Sequence, residues 1–293
     1  LAYEEIFDDV DVSNNIVYKE PIFLYESKEL FEQNQYAFNL RKKYDVQFVV
    51  INKEEIAKIE PGLEPIYYNG VVLKGESFTN SPLEITQKIF NNFIKNDGHF
   101  IKIKIKSIVQ KDNSLFLKYE KKEQQFDKIV VAAGAWSNML ARTIGDNFPL
   151  DTERGYHIVF ENNNNLLTHP VGWAKTGFYM TPMKDGIRVA GTVEIAGLKK
   201  PMNKNMLSMI EKTARRILPQ LGKVKSEWMG FRPTLPDSLP VVGESKKCKN
   251  VYYAFGHQHL GLSLAAITGK VIQSLIEKKN TNINIDALNP YRF

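Results

Sequence analysis

The chain has 293 residues with 43% hydrophobic and 11% aromatic content, enough for one large or two moderate domains with real cores. Its 39 basic and 33 acidic residues leave a net charge of +6, but the lysines are interspersed with acids along the chain, which argues against nucleic-acid binding. No apolar run approaches the roughly 18 residues of a membrane span, the first residues are acidic where a signal peptide would be basic, and the lone Cys248 allows neither an internal disulfide nor a cysteine metal site. A reducing, cytoplasmic setting is expected, with a peripheral contact to the inner membrane through basic residues left open.

Residues 28 to 44, KELFEQNQYAFNLRKKY, carry apolar residues at helical spacing, and QFVVIN after them reads as a short strand. IEPGLEP is a turn. GVVLKGESFTNSP is a strand leading into a helix capped by Asn80 or Ser81, with Pro82 in its first turn and an end near Asp97-Gly98. IKIKIKSIVQ alternates, which predicts a strand with isoleucines on one face and lysines on a solvated other, closed into a hairpin with SLFLKYEKK around Asp112-Asn113. FDKIVVAAGAWSNML then offers a short apolar strand, Ile129 to Ala132, of the kind covered on both faces, running into Ala133-Gly134-Ala135. That backbone admits either a large flat or phosphorylated ligand or tight strand-to-helix packing.

In the second half FPLDTERGYHIVFE is a strand, GFYMTPMKDGIRVAGTVE a hairpin turning at Lys184-Asp185-Gly186, and residues 203 to 218 an amphipathic helix stopped by Pro219. EWMGFRPTLPDSLPVVG, residues 227 to 243, sets Arg232 against Trp228, Met229 and Phe231 and then places three prolines within eight residues. An extended loop is expected after Arg232. NVYYAFGHQHLGLSLAAITGKVIQSLIEKK supplies a buried strand, Val251 to Phe255, a glycine-bounded turn, and a helix from about Leu262 to Lys278. Such a turn aims free backbone N–H groups and the positive end of a helix at one spot, which suits negative charge. His257 and His259 stand one residue apart with no third ligand nearby, so no metal site is assigned.

WMGFRPTLPDSLPVVG and NVYYAFGHQHLGLSLAAITGKVIQSLI, with IEPGL, KIVVAAGAWS, RGYHIVF and FYMTPMKDGIRVAGTVE in order before them, resemble the signature stretches of the FAD-dependent D-amino-acid oxidase superfamily. The likeness is strongest to its bacterial D-amino-acid dehydrogenase-like members and runs over nearly the whole chain. Members of that family begin with a βαβ unit whose G-x-G-x-x-G turn holds the FAD pyrophosphate. No G-x-G occurs in this sequence, so the resemblance implies a fragment of such a protein.

The resemblance implies a mixed α/β fold in which an incomplete FAD-binding Rossmann-like domain, residues 76–149 and 227–293, interleaves with an antiparallel-rich substrate domain, residues 1–75 and 150–226. It implies FAD as cofactor and a D-amino acid as substrate, oxidised by hydride transfer from the α-carbon to flavin N5, with a quinone or other non-oxygen electron acceptor. A glycine, sarcosine or hydroxyproline-type amine oxidase of the same superfamily is the alternative, as is a non-catalytic fragment or subunit. By family position Arg232 binds the substrate carboxylate, a pairing that a planar guanidinium in an apolar setting makes well. Tyr179 and Tyr156 either reach the substrate or are core tyrosines, and Glu194 either meets an amine or is a plain edge-strand glutamate. Gly256, His257, Gly261, Leu262 and Ser263 would lie beside the isoalloxazine ring, with Ala133, Gly134 and Trp136 near the adenine-diphosphate half and Ile105 near adenine.

Overall fold

The computed structural model describes residues 2–161, 165–281 and 283–293. Its largest element is a sheet of nine strands centred on Asp151–Phe160. One edge of that strand pairs antiparallel with Val224–Thr234, the other with Gly186–Ala190 and Glu194–Ile195. The sheet continues through Phe178–Met183, Val171–Trp173, Ile22–Tyr25, Asn69–Leu73 and Phe48–Ile51. Only the link between Val171–Trp173 and Ile22–Tyr25 is parallel. An antiparallel-rich sheet was the expectation for this part of the chain, and the hairpin at Lys184-Asp185-Gly186 forms as read, with Met183 opposite Gly186.

Side chains alternate across a strand, so the central strand has two distinct faces. Tyr156, Ile158 and Phe160 enter the main core together with Leu207, Ile210, Ala214 and Ile217 of the helix Lys204–Ile217. That helix is capped by Asn203, whose side chain accepts from the Asn205 N–H. Burying each Leu or Ile on its inner stripe contributes about 2 kcal/mol, which is what holds the helix to the sheet. Gly155 and His157 point to the other face.

A second body holds the C-terminal segment. Val241–Glu244, Val251–Phe255 and Ile129–Val131 form a three-stranded sheet, the last two parallel, and the helix Gly261–Ile276 packs Val271 and Ile272 against Val242 and Tyr252. Ile105–Lys111, Ser114–Tyr119 and Lys122–Phe126 make a separate antiparallel meander. Ile108 and Leu115 of the meander share a core with Phe148, Tyr253 and Phe255. Asp146 is buried there, accepting from the Ser245 hydroxyl at 2.6 Å and from the Tyr253 hydroxyl at 2.7 Å.

Four local expectations change. The helix read over 28–44 is two helices, Lys28–Gln33 and Gln35–Lys43, broken at Asn34, whose side chain donates back to the Leu30 carbonyl. The IKIKIK alternation becomes a strand only from Ile105; Ile101 is exposed, since alternation without a neighbouring strand leaves the ladder unpaired. Ile129–Val131 is an edge strand with Val130 41% exposed, not a strand covered on both faces. Arg232 and Pro233 lie within the strand Val224–Thr234, which pairs on one side only, and an edge strand tolerates a proline. The extended loop begins after Thr234.

Two segments cross the expected domain limits. The strand Val224–Thr234 runs through position 227 and belongs to the large sheet along its length. The helix Ala2–Asp9 packs against the last helix, where Lys270 pairs with Glu5 and the Tyr3 hydroxyl donates to the Leu262 carbonyl.

Candidate functional site

Arg232 stands opposite Glu153 in the ladder, with Gly155 opposite Gly230 and His157 opposite Trp228. Cross-strand partners share a face, so Arg232, Gly155 and His157 all lie on the face away from the Lys204–Ile217 helix. The guanidinium folds directly over Gly155: a Cβ at that position would come 2.4 Å from Arg232 Cζ. One N–H, on Nη1, donates to the Thr192 carbonyl at 2.9 Å. No carboxylate forms an ion pair with Arg232 among the described residues. Burial depresses its pKa, opposed by the charge of Glu153, and the group stays a cation because a guanidinium starts so high. It is a half-buried, tethered cation with donors to spare.

Register extends this face across the sheet. Trp228, His157, Ala190 and Tyr179 form one row, and Gly172 and Phe23 continue it. Trp228 stacks on His157 with ring centroids 4.8 Å apart. Tyr179 is 42% exposed, packs edge-on against Phe23 at 5.5 Å, and its hydroxyl has no hydrogen-bond partner among the described residues. Burial of its ring raises its pKa. Between Gly155 and Tyr179 the floor is Ala190, small enough to leave room above it.

Tyr156 is one residue away in sequence and on the opposite face. It is 1% exposed, and its hydroxyl donates to Glu194 Oε2 at 2.5 Å while accepting from Arg154 Nη2 at 3.1 Å and from the Asn203 N–H at 3.2 Å. Burial first, and the Glu194 carboxylate second, raise its pKa, while the Tyr156 hydrogen bond lowers that of Glu194. Arg154 is fully buried and lies 3.4 Å from Glu194. The structure therefore brings Tyr179 to the Arg232 face and sets Tyr156 and Glu194 in a closed polar network behind it.

The C-terminal body meets this face at the arginine. The Gln258 N–H donates to the Pro233 carbonyl at 3.1 Å, tying the GHQHLG turn to the residue after Arg232. Gly256 has φ +89°, and a Cβ there would strike Leu235 Cδ1 at 2.5 Å, so conformation and space both require glycine. His257 spends its side chain on the Thr268 hydroxyl, 3.0 Å away, and leaves only backbone to the turn. Leu260 precedes the helix Gly261–Ile276 without any side-chain cap, so the first-turn N–H groups of Gly261, Leu262 and Ser263 are the uncompensated positive end of a sixteen-residue helix. Trp136, 45% exposed, sits edge-on to Phe231 at 5.3 Å and brings Ala133 and Gly134 alongside; a Cβ at Gly134 would touch nothing. Ile105 lies apart, opposite Tyr119 at the start of the meander.

An uncapped helix start and a glycine-bounded turn lie beside the strand of Arg232, and an exposed indole packs on Phe231 of the same strand. The free N–H groups of that helix start fit a cofactor that gathers negative charge, as the flavin of a flavin-dependent oxidoreductase does. The chain belongs to the family described as FAD dependent oxidoreductase (DAO), whose profile matches residues 15–275. It is 30% identical over its whole length to a D-amino-acid oxidase of Bradyrhizobium diazoefficiens, covering 71% of that protein. To a D-amino acid dehydrogenase of Vibrio atlanticus it is 30% identical over 58% of this chain and 42% of the other. The crystal structure of glycine oxidase from Geobacillus kaustophilus superposes on 99% of this chain and 79% of its own with a TM-score of 0.89 at 19% identity, a likeness of fold. The protein is an enzyme of FAD-dependent amine or amino-acid oxidation. No helix among the described residues is long and apolar enough to cross a membrane.

Several residues of this face escaped the sequence reading. Gly155 carries a signal in RGYH, a glycine inside a strand, which marks a close approach. Ala190, Thr192 and Gln258 act through size or backbone and leave no such signal.

Proposed function

We propose that the enzyme oxidises D-amino acids to imino acids, which water converts to oxo acids and ammonia, and that Arg232 holds the substrate carboxylate. The observation that carries this is the guanidinium laid over Gly155, tethered at one N–H and lacking an acid partner among the described residues. Its free donors suit a two-pronged grip on a carboxylate, and the surrounding rings exclude water and strengthen it. Tyr179 offers a hydroxyl to the same substrate from about 10 Å across the sheet, two strand spacings from Gly155.

Gly256, His257, Gly261, Leu262 and Ser263 would hold the redox ring, Ala133, Gly134 and Trp136 the diphosphate side, and Ile105 the adenine. When bound, FAD supplies the acceptor for the hydride leaving the α-carbon. The chain's own contribution is to fix the carboxylate at Arg232, so that the α C–H is held in one orientation, and to place the N–H groups of the last helix where negative charge develops. Residues 1–75 and 150–226 serve the substrate and 76–149 and 227–293 the cofactor, with the strand at Arg232 shared between them. The reduced enzyme passes its electrons to a quinone or other acceptor in preference to oxygen, and a contact with the inner membrane surface would serve that exchange.

The test is anaerobic bleaching of the flavin absorbance in the FAD-loaded enzyme by a panel of D-amino acids, glycine and sarcosine, followed by turnover with oxygen or a quinone. Arg232→Met should raise KM steeply and cost about 3–5 kcal/mol of transition-state binding. An unchanged kcat/KM in that variant removes Arg232 from the site. Bleaching by glycine or sarcosine but not by D-amino acids assigns the other amine-oxidase class.

A further inference from the structure

A second arginine overlooks the same face from its far end. Arg41, in the last turn of the helix Gln35–Lys43, places its guanidinium carbon 5.8 Å from the ring centre of Phe23 and 5.8 Å from that of Phe38. Phe23 packs against Tyr179, and both Tyr179 and Tyr25 feel the arginine's charge. Arg41 Nη1 is buried without a hydrogen-bond partner, and no carboxylate pairs with the group among the described residues. A last-turn arginine normally turns to solvent or to its own helix carbonyls. This one is folded inward over aromatic rings, where it hydrogen-bonds the Tyr25 side chain and keeps the Nη1 donor unspent.

We propose that Arg41 determines specificity by binding an anionic group at the end of the substrate side chain, so that the preferred substrate is a dicarboxylic amino acid. The proposal rests on the reading of Arg232 as the holder of the α-carboxylate. Phe23 belongs to the strand four places from that of Gly155, and its ring leans onto Gly172 one strand nearer. The two guanidinium groups therefore stand on one face, several strand spacings apart. Between them the row runs Ala190, Tyr179 and Gly172, so Ala190 leaves room and the exposed Tyr179 ring forms the wall of the span.

The FAD-loaded enzyme is assayed with D-glutamate and with D-glutamine, which has the same shape without the charge. Binding of glutarate and of butyrate is measured in parallel by calorimetry. D-glutamate should exceed D-glutamine in kcat/KM by about tenfold or more, and glutarate should bind tighter than butyrate by a similar factor. Arg41→Met, which keeps the packing on Phe23 and Phe38, should erase both ratios and leave D-glutamine turnover unchanged. Equal losses for all substrates in that variant make Arg41 a packing residue and overturn the proposal. So does a preference that survives Arg41→Met and vanishes in Arg188→Met, the other arginine of this face. Oxidation of D-amino acids with no preference for charge sinks the proposal and leaves the carboxylate role of Arg232 intact. Selective glutarate binding without oxidation of any D-amino acid keeps both arginine contacts and overturns the proposed D-amino-acid reaction instead.

Discussion

Gly155 is the seat of Arg232. The separation of 2.4 Å between a would-be Cβ at 155 and Arg232 Cζ means that only hydrogen at this position allows the guanidinium to lie flat on the strand. The backbone of Gly155 is not in the left-handed region, so alanine would fold there without conformational strain. The atoms in the way are the far end of a flexible side chain. Gly155→Ala should therefore change stability by less than about 0.5 kcal/mol while lifting the guanidinium off its place. Its KM for the amino-acid substrate should rise on the order of tenfold to a hundredfold, as a displaced positioning group does. Thermal melts and steady-state kinetics on one preparation check both halves, and an unchanged KM would mean that Arg232 does not work from the observed position.

His157 carries the main pH dependence on this face. Its ring stacks on Trp228, and its pKa falls from the usual 6.5 to about 4, chiefly by burial and secondly by Arg188, against a smaller opposing pull from Asp185. The unfolded chain binds a proton between those two values and the folded chain does not, so stability rises with pH through that window. It is complete above about 6.5 and declines as pH falls toward 4, by up to about 3 kcal/mol. His157→Gln should flatten the denaturation midpoint between pH 4 and 6.5. A curve as steep as that of the parent would place the titrating group elsewhere.

Local structure was legible where one residue type settles a conformation. Ser81 caps the helix that Pro82 opens, accepting from the Glu84 N–H, and Asp112 takes the positive φ that the Asp-Asn turn required. Sheet membership was not legible. Nothing in Ile22–Tyr25 says that it lies beside Val171–Trp173, because strand pairing is set by a core that forms from both. Strand parity makes Gly155 and Tyr156 point apart, but which face the amphipathic helix covers depends on the fold. Arg232 stands out in the sequence by its apolar and proline neighbours, whereas nothing in LRKKY sets Arg41 apart from the basic residues beside it.

Asp146 pins the C-terminal body. Both the Ser245 and Tyr253 hydroxyls donate to the same Oδ2, and burial followed by this carboxylate raises the Tyr253 pKa. Asp146→Ala strands two buried hydroxyls and should cost about 2–4 kcal/mol in denaturant melts. Tyr253→Phe removes one donor while Asp146 keeps Ser245, so about 1 kcal/mol is expected. Equal costs for the two variants would show that the aspartate is not the shared acceptor.

Tyr156 separates a framework role from a catalytic one. Its hydroxyl links Glu194, Arg154 and the Asn203 N–H behind the sheet, where Arg154 is fully buried with Nε and Nη1 lacking hydrogen-bond partners. Tyr156→Phe deletes the donor that Glu194 accepts from but leaves the carboxylate within reach of Arg154 and Asn203, so the loss should be about 1–2 kcal/mol. Arg154→Met takes the buried cation out of the network and should lower the melting temperature more than Tyr156→Phe does. Neither side chain reaches the Arg232 face, so KM and kcat of the folded Tyr156→Phe enzyme should stay within about twofold of the parent. Tyr179→Phe, on the open face, should instead raise KM with no loss of melting temperature. A Tyr156→Phe enzyme that melts like the parent yet loses turnover would move that hydroxyl from the framework to the chemistry.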